Sequence, residues 1–374
     1  MEKKKVLVVA TVVKAHIMVF HIPILKWFKD NGYETYVCAR NDFKSKQDCD
    51  IPYCDYYYNL PFERSPLKLN NLITYKKLKK LIELNEFDII HCHTPVGGAI
   101  SRLASKNAKS NKTKLIYTAH GFHFYKGAPI INWLLYYPTE RWLSKYTDVL
   151  LTINKEDFDR AQNFEANSIK YIPGVGIDTK KFDALNINQQ RKRSEFDIPE
   201  SNTVILSVGE LNKNKNHEAI IKALAKMNNP EIFYVICGEG PLKKHLEKVS
   251  EELNVCDQVK FLGFRKDIAE IIKMSDIFAF PSLREGLSLS LMEVMSSGLP
   301  VVCSDIRGNR DLIQQELGGY LVQPNDIEGF SNAIMKIQND ISLIKRMGDY
   351  NKKFVKDYDI NNVLQHLEEI YAGV

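Results

Sequence analysis

Short, almost continuously apolar segments recur along this chain, each followed by a polar or helix-patterned stretch. That alternation restricts the fold more than any other feature. The segments lie near 5–12, 33–39, 88–92, 114–119, 148–153 and 169–172, and again near 203–209, 232–237, 259–262, 276–280, 300–303 and 319–322. Strands that are apolar on both faces belong to parallel sheets covered by helices. Helical patterns at 67–84, 96–105, 132–145 and 155–163 supply such covers. Repeated βα units wind into doubly wound sheets, and two sets of them predict two Rossmann-like α/β domains.

The length of 374 residues suits two domains of ordinary size. The break Ile172-Pro173-Gly174-Val175-Gly176 is where one domain is expected to end. The expected division is 1–173, 174–352 and a helical tail, 353–374. No apolar run is long enough to span a bilayer, and no signal-peptide pattern is expected: Lys14 and His16 interrupt the first apolar run. Seven cysteines without a C-x-x-C pair read as free thiols, several inside apolar strands. A cytoplasmic location is expected.

Charge is unevenly placed. Residues 1–180 carry 27 Lys and Arg against 18 Asp and Glu, a net +9, and the remainder carries −4. The basic half is expected to face an anionic partner. Nucleic acid, an anionic membrane face and a phosphate-bearing ligand all fit that charge. Lys76-Lys77-Leu78-Lys79-Lys80 and the aromatic-basic stretch 122–146 suit a membrane interface. A helix packed in the core is the plain alternative for that stretch.

The segment 281–293 carries the most chemistry. Glu285 and Glu293, with seven residues between them, follow the apolar run 276–280 and enter a helix that continues to about Gly298. The first acid is expected at a strand's carboxyl end and the second about two turns into the helix. Ligands bind at such strand ends, and a helix start favours a phosphate. Three more strand ends read the same way in the second half: 208–217 with Gly209, Glu210 and Lys215; Gly238-Glu239-Gly240; and 305–311 with Arg307, Gly308 and Arg310. In the first half, His120 and His93 end apolar runs, and Lys14, His16 and His21 follow the first.

The 281–293 run resembles the E-x7-E signature of retaining family-4 glycosyltransferases of the GT-B fold, and the likeness extends over nearly the whole chain. It implies two Rossmann-like domains facing a central cleft. The first would bind an acceptor, with His120 matching the family's histidine at the reacting sugar and His93 beside it; the first βα turn lacks the glycines that many relatives have there, so Lys14, His16 and His21 are the candidates in their place. The second would bind a nucleotide-diphosphate sugar, a UDP-sugar first, through Gly209, Glu210, Lys215, Gly238, Gly240, Arg284, Glu285, Gly286, Leu287, Ser288, Glu293, Gly308 and Arg310. Of these, His120, Glu285 and Lys215 are implied to act in catalysis, and the final helix to cross back onto the first domain. One departure stands out: where the family carries Arg in its diphosphate loop, this chain has Glu210, and Arg284, Arg307 or Arg310 would have to compensate.

The resemblance implies transfer to a saccharide carried on polyprenyl diphosphate, in bacterial capsule or exopolysaccharide synthesis. The chain would then lie peripherally on the inner face of the cell membrane, with no nucleic-acid partner. A soluble acceptor, a nucleotide-sugar epimerase and an inactive nucleotide-sugar-binding scaffold subunit stay open, as does the oligomeric state. No cofactor is expected. No metal is either: the pairs His91/His93 and His120/His123 lack a carboxylate or Cys at ligand spacing, and Asp48-Cys49-Asp50 and Asp157-Phe158-Asp159 do not follow apolar strands.

Overall fold

The computed structural model describes residues 3–106, 113–182 and 185–373, without the side chain of Lys46. They form two compact units. The first comprises 1–176 and 360–374, the second 177–359. The boundaries therefore fall at 176/177 and 359/360, not at 173 and 352. Val355 and Tyr358 are buried in the second unit's core, which holds the chain there through residue 359.

The first unit contains β1 (Lys5–Val12), β2 (Glu34–Arg40), β3 (Tyr56–Asn59), β4 (Ile89–His93), β5 (Lys114–Ala119), β6 (Val149–Thr152) and β7 (Ser168–Tyr171). All pair in parallel, in the order β3-β2-β1-β4-β5-β6-β7. Strand β3 escaped the sequence reading because Tyr56-Tyr57-Tyr58-Asn59 is a half-exposed edge, without the apolar run that marks a central strand. The C-terminal helix Ile360–Ala372 belongs to this unit: Tyr371 is buried against Trp27 and Phe28, and its hydroxyl lies 2.8 Å from Nδ1 of His91.

The second unit contains β8 (Thr203–Val208), β9 (Ile232–Cys237), β10 (Val259–Gly263), β11 (Ile277–Phe280), β12 (Val301–Ser304) and β13 (Gly319–Val322). These too are parallel, in the order β10-β9-β8-β11-β12-β13. The centres of β8, β9, β11 and β12 are fully buried, with one hydrophobic cluster on each face of the sheet, and the edge strand β10 is only partly buried. Each sheet reverses its strand order once, between β1 and β4 and between β8 and β11. Loops leaving the strands on either side of a reversal diverge and open a crevice at the carboxyl ends.

Candidate active site

At the reversal in the second unit, loop 209–217 leaves β8 and loop 281–288 leaves β11. Asparagines join them. The N–H of Leu283 donates to the Asn214 carbonyl (2.7 Å), Nδ2 of Asn214 to the Arg284 carbonyl (3.0 Å), and Nδ2 of Asn216 to the Pro281 carbonyl (3.3 Å). This frame sets Nζ of Lys215 at 2.8 Å from Oε1 of Glu285, both side chains mostly buried. The ammonium also lies 4.7 Å from the centre of the Phe280 ring. Glu210 takes a bracing part: it accepts from Nδ2 of Asn212 (2.9 Å), whose Oδ1 accepts the Lys215 N–H (3.0 Å). The sequence reading missed these asparagines, although the run Asn212-Lys213-Asn214-Lys215-Asn216 is a visible signal.

Glycine lets the loops touch. A Cβ on Gly308, where φ is +77°, would stand 2.1 Å from the Gly286 carbonyl oxygen, so 305–310 packs directly on 285–288. A Cβ on Gly238 would meet the Gly209 carbonyl at 1.9 Å, and one on Gly240 the Leu211 carbonyl at 2.5 Å. Both glycines are thus accounted for by loop packing. At Gly209 a Cβ would crowd the Lys215 stem at 3.1 Å.

Ser288 caps the helix Leu289–Ser297 by accepting from the Leu291 N–H, and Gly298 ends it in the left-handed region. The helix begins at 289, so Glu293 lies about one turn in rather than two. Burial raises its carboxyl above the usual range, with Lys181 opposing. Leu287 packs against the core. The three arginines differ. Arg307 is buried and donates from Nε to the Glu285 carbonyl (3.2 Å), Arg310 is bound to Asp305, and Arg284 is exposed.

The first unit's reversal gathers histidines. His16 and His21 follow β1, His91 and His93 lie on β4, and His120 follows β5. Ring centres are 5.0 Å apart for His16 and His120, 4.9 Å for His16 and His21, and 3.8 Å for the stacked His21 and His93. Nδ1 of His93 lies 3.3 Å from Nε2 of His120. His21 and His93 are buried, so only the half-buried His16 and His120 meet solvent. His93, expected among the acceptor-binding residues, is thus covered by its neighbours within the first unit. His91 contacts Thr118 Oγ1 and Tyr371. Burial holds all five below the ordinary imidazole value, His91 at about 3 and His120 at about 4. They are neutral at pH 7.

Residues 13–17 form a single π-helical turn, a feature that often marks functional positions. Its first free amides, on Lys14 and Ala15, donate to the Asp42 carboxylate at 2.6 and 3.2 Å. The anion position at this turn is thus filled by the chain's own acid, which the sequence reading did not single out. Lys14 is exposed, its ammonium 5.8 Å from the Phe43 ring centre. His123 packs on Tyr136. Asp157 accepts from the Phe122 N–H and from Asn154 Nδ2, a structural role that braces the loop after His120.

The stretch 122–146 is rearranged relative to expectation. Phe122 and Phe124 are buried, and Trp133, Tyr136 and Tyr137 pack on the core. The exposed residues of helix Ile130–Ser144 are instead Ile130, Ile131, Leu134 and Leu135 in its first half and Pro138, Thr139, Arg141 and Trp142 in its second. Among the described residues, no helix is long and apolar enough to cross a membrane.

Residues 5–154 match the family model "Glycosyl transferase 4-like" and residues 188–354 match "Glycosyl transferases group 1". The chain is 38% identical to the putative glycosyltransferase EpsD of Bacillus subtilis, over 99% of this chain and 97% of that protein. It is 29% identical to the Escherichia coli UDP-Gal:alpha-D-GlcNAc-diphosphoundecaprenol alpha-1,3-galactosyltransferase, over 83% of each. Among solved structures, Anabaena Alr3699/HepE in complex with UDP superposes with a TM-score of 0.83 at 19% identity, covering 99% of this chain and 100% of that one. WaaG, a glycosyltransferase involved in lipopolysaccharide biosynthesis, gives 0.75 at 18%, with 99% and 100% covered. Two parallel-sheet units of this topology are those of the GT-B fold, and the chain belongs to the family-4 glycosyltransferases.

Proposed function

We propose that the chain moves a sugar from a UDP-sugar to a saccharide carried on polyprenyl diphosphate, in surface polysaccharide synthesis, with retention of anomeric configuration. The observation that carries the donor assignment is the Lys215–Glu285 pair at the strand-order reversal of the second unit. Lys215, the exposed Arg284 and the loop amides of 286–288 would hold the diphosphate without a divalent metal. Glu293 would accept from the ribose. Glu285 and His120 would orient the transferred sugar. In the reaction the acceptor oxygen bonds to the anomeric carbon as the bond to the diphosphate oxygen breaks. The hydroxyl proton passes to that phosphate, and UDP leaves.

The acceptor class is supported by the E. coli relative, whose name specifies a diphosphoundecaprenol-linked sugar. The exposed aliphatic residues in the first half of helix Ile130–Ser144 and the exposed Lys76, Lys77 and Lys80 give the first unit a surface suited to an anionic bilayer. The test is transfer of labelled sugar from UDP-sugars to a polyprenyl-diphosphate saccharide in EDTA, with the anomeric configuration of the product determined. Label in the lipid phase with the donor's configuration supports the proposal. Inversion, a requirement for Mn²⁺, or transfer only to water-soluble saccharides contradicts it.

A further inference from the structure

We propose that the first unit contains a transition-metal site formed by His16, His21 and His120 and suited to Zn²⁺. One ring nitrogen from each of these residues lies within 4.8 Å of the others. His16 and His21 lie in the segment after β1 and His120 follows β5, so the third residue joins the other two only through the sheet order. The zinc pairs weighed from the sequence, by contrast, combined His91 with His93 and His120 with His123.

The cluster has unmet bonding capacity. Nε2 of His16, both ring nitrogens of His21 and Nε2 of His93 are buried without a hydrogen-bond partner among the described residues. Buried polar atoms are nearly always paired, so four orphans in one cluster point to a missing ligand. Each imidazole can turn one ring nitrogen's lone pair toward the space that the three residues share, and a metal ion is a ligand that all three nitrogens can bind at once. An all-nitrogen set suits Zn²⁺ and disfavours Mg²⁺ and Ca²⁺, which take oxygen. Tetrahedral Zn–N bonds of about 2.0–2.1 Å bring ligand nitrogens to roughly 3.4 Å apart, so the widest pair would have to close by about 1.4 Å. His93, beside His120, stands where the outer partner of a metal-bound imidazole stands. Three ligands leave a fourth position for water or a ligand oxygen.

With a nitrogen committed to the metal, His120 cannot offer it to a sugar. Zinc should therefore inhibit transfer while leaving UDP binding in the second unit intact. This consequence, unlike the site itself, rests on the role proposed for His120.

The experiment uses the full chain, stripped with EDTA and dialysed. Calorimetric titration with Zn²⁺ should show one equivalent bound, and Co²⁺ should give the visible absorption of a four- or five-coordinate nitrogen site. His16→Ala should weaken binding roughly tenfold or more. His16 is half-buried, so this variant is expected to fold, and UDP binding and circular dichroism verify it. His245→Ala/His366→Ala, which removes two exposed histidines, should bind as the parent does. Absence of stoichiometric binding, or loss of binding in the His245/His366 variant instead of the His16 variant, overturns the site. If Zn²⁺ binds with one equivalent and does not inhibit transfer, the site stands and the sugar-orienting role of His120 falls.

Discussion

Nζ of Lys215 lies 2.8 Å from Oε1 of Glu285, joining the loops after two neighbouring strands where the strand order reverses. The cation proposed to neutralise a diphosphate is thus already neutralised by an acid. A donor must share Lys215 with Glu285 or displace it. Glu285→Gln keeps the shape and removes the competing charge. UDP should bind this variant about tenfold more tightly, a gain of about 1.4 kcal/mol and within the Coulomb energy of one charge a few ångströms from a phosphate. Transfer should fall in the same variant, because the sugar loses its orienting carboxylate. Calorimetry with UDP and initial rates separate the two effects.

If the second unit binds a diphosphate as proposed, the Glu210 departure would be compensated first by Arg284. Arg310 is engaged by Asp305, Arg307 by the Glu285 carbonyl, and Arg284 stands exposed on the donor loop. Losing a charged hydrogen bond to phosphate costs roughly 1.5–3 kcal/mol, or about one to two decades of affinity. Arg284→Ala should show that loss in UDP affinity, and Arg310→Ala a smaller one. Equal, near-parental affinities would remove both from the diphosphate site.

Glu293 gives nucleotide binding a pH signature. Its carboxyl is raised by burial, and the ionised form is the one that accepts from a ribose hydroxyl. Affinity should be full above its raised value and fall as the pH drops through it, starting at a higher pH than an ordinary glutamate would give. Dissociation constants of a UDP-sugar, whose doubly esterified diphosphate does not titrate between pH 8 and pH 5, should show this over that range, and Glu293→Gln should be weaker and lack the Glu293 component of the slope. A parental slope in Glu293→Gln would assign the titration elsewhere.

Membrane docking should depend on exposed aliphatic residues as well as on charge. Ile131, Leu134 and Leu135 are each more than half exposed, at 53, 63 and 57%. Replacing all three by Ser should lower co-sedimentation with anionic vesicles at low and high salt. Removing Lys76, Lys77 and Lys80 should matter only at low salt, at about 1 kcal/mol per charge. Binding unaffected by either set would place the membrane contact elsewhere.

The α/β architecture was legible in the sequence because buried parallel strands are apolar on both faces. The tyrosine-rich edge β3 was not, since a half-exposed edge lacks that run. The acids and the lysine of the donor loops were visible as motifs at strand ends. Their mutual contact was not, because Lys215 and Glu285 are 70 residues apart and meet only through the sheet order. The histidine cluster was hidden for the same reason: His16 and His120 leave different strands, so no ligand spacing appears in the sequence. In the aromatic stretch, composition shows amphipathicity but not which face is packed: Trp133 and Tyr137 pack partly buried on the core, and Leu134 and Leu135 face outward.

The most direct test of the account is titration of the full chain and of Lys215→Ala with UDP-sugars in the presence of EDTA. The account predicts saturable binding of a UDP-sugar to the parent, raising its melting temperature, and a loss of roughly ten- to a hundredfold in affinity in Lys215→Ala. Binding that requires Mn²⁺, or that is unchanged in Lys215→Ala, would contradict it.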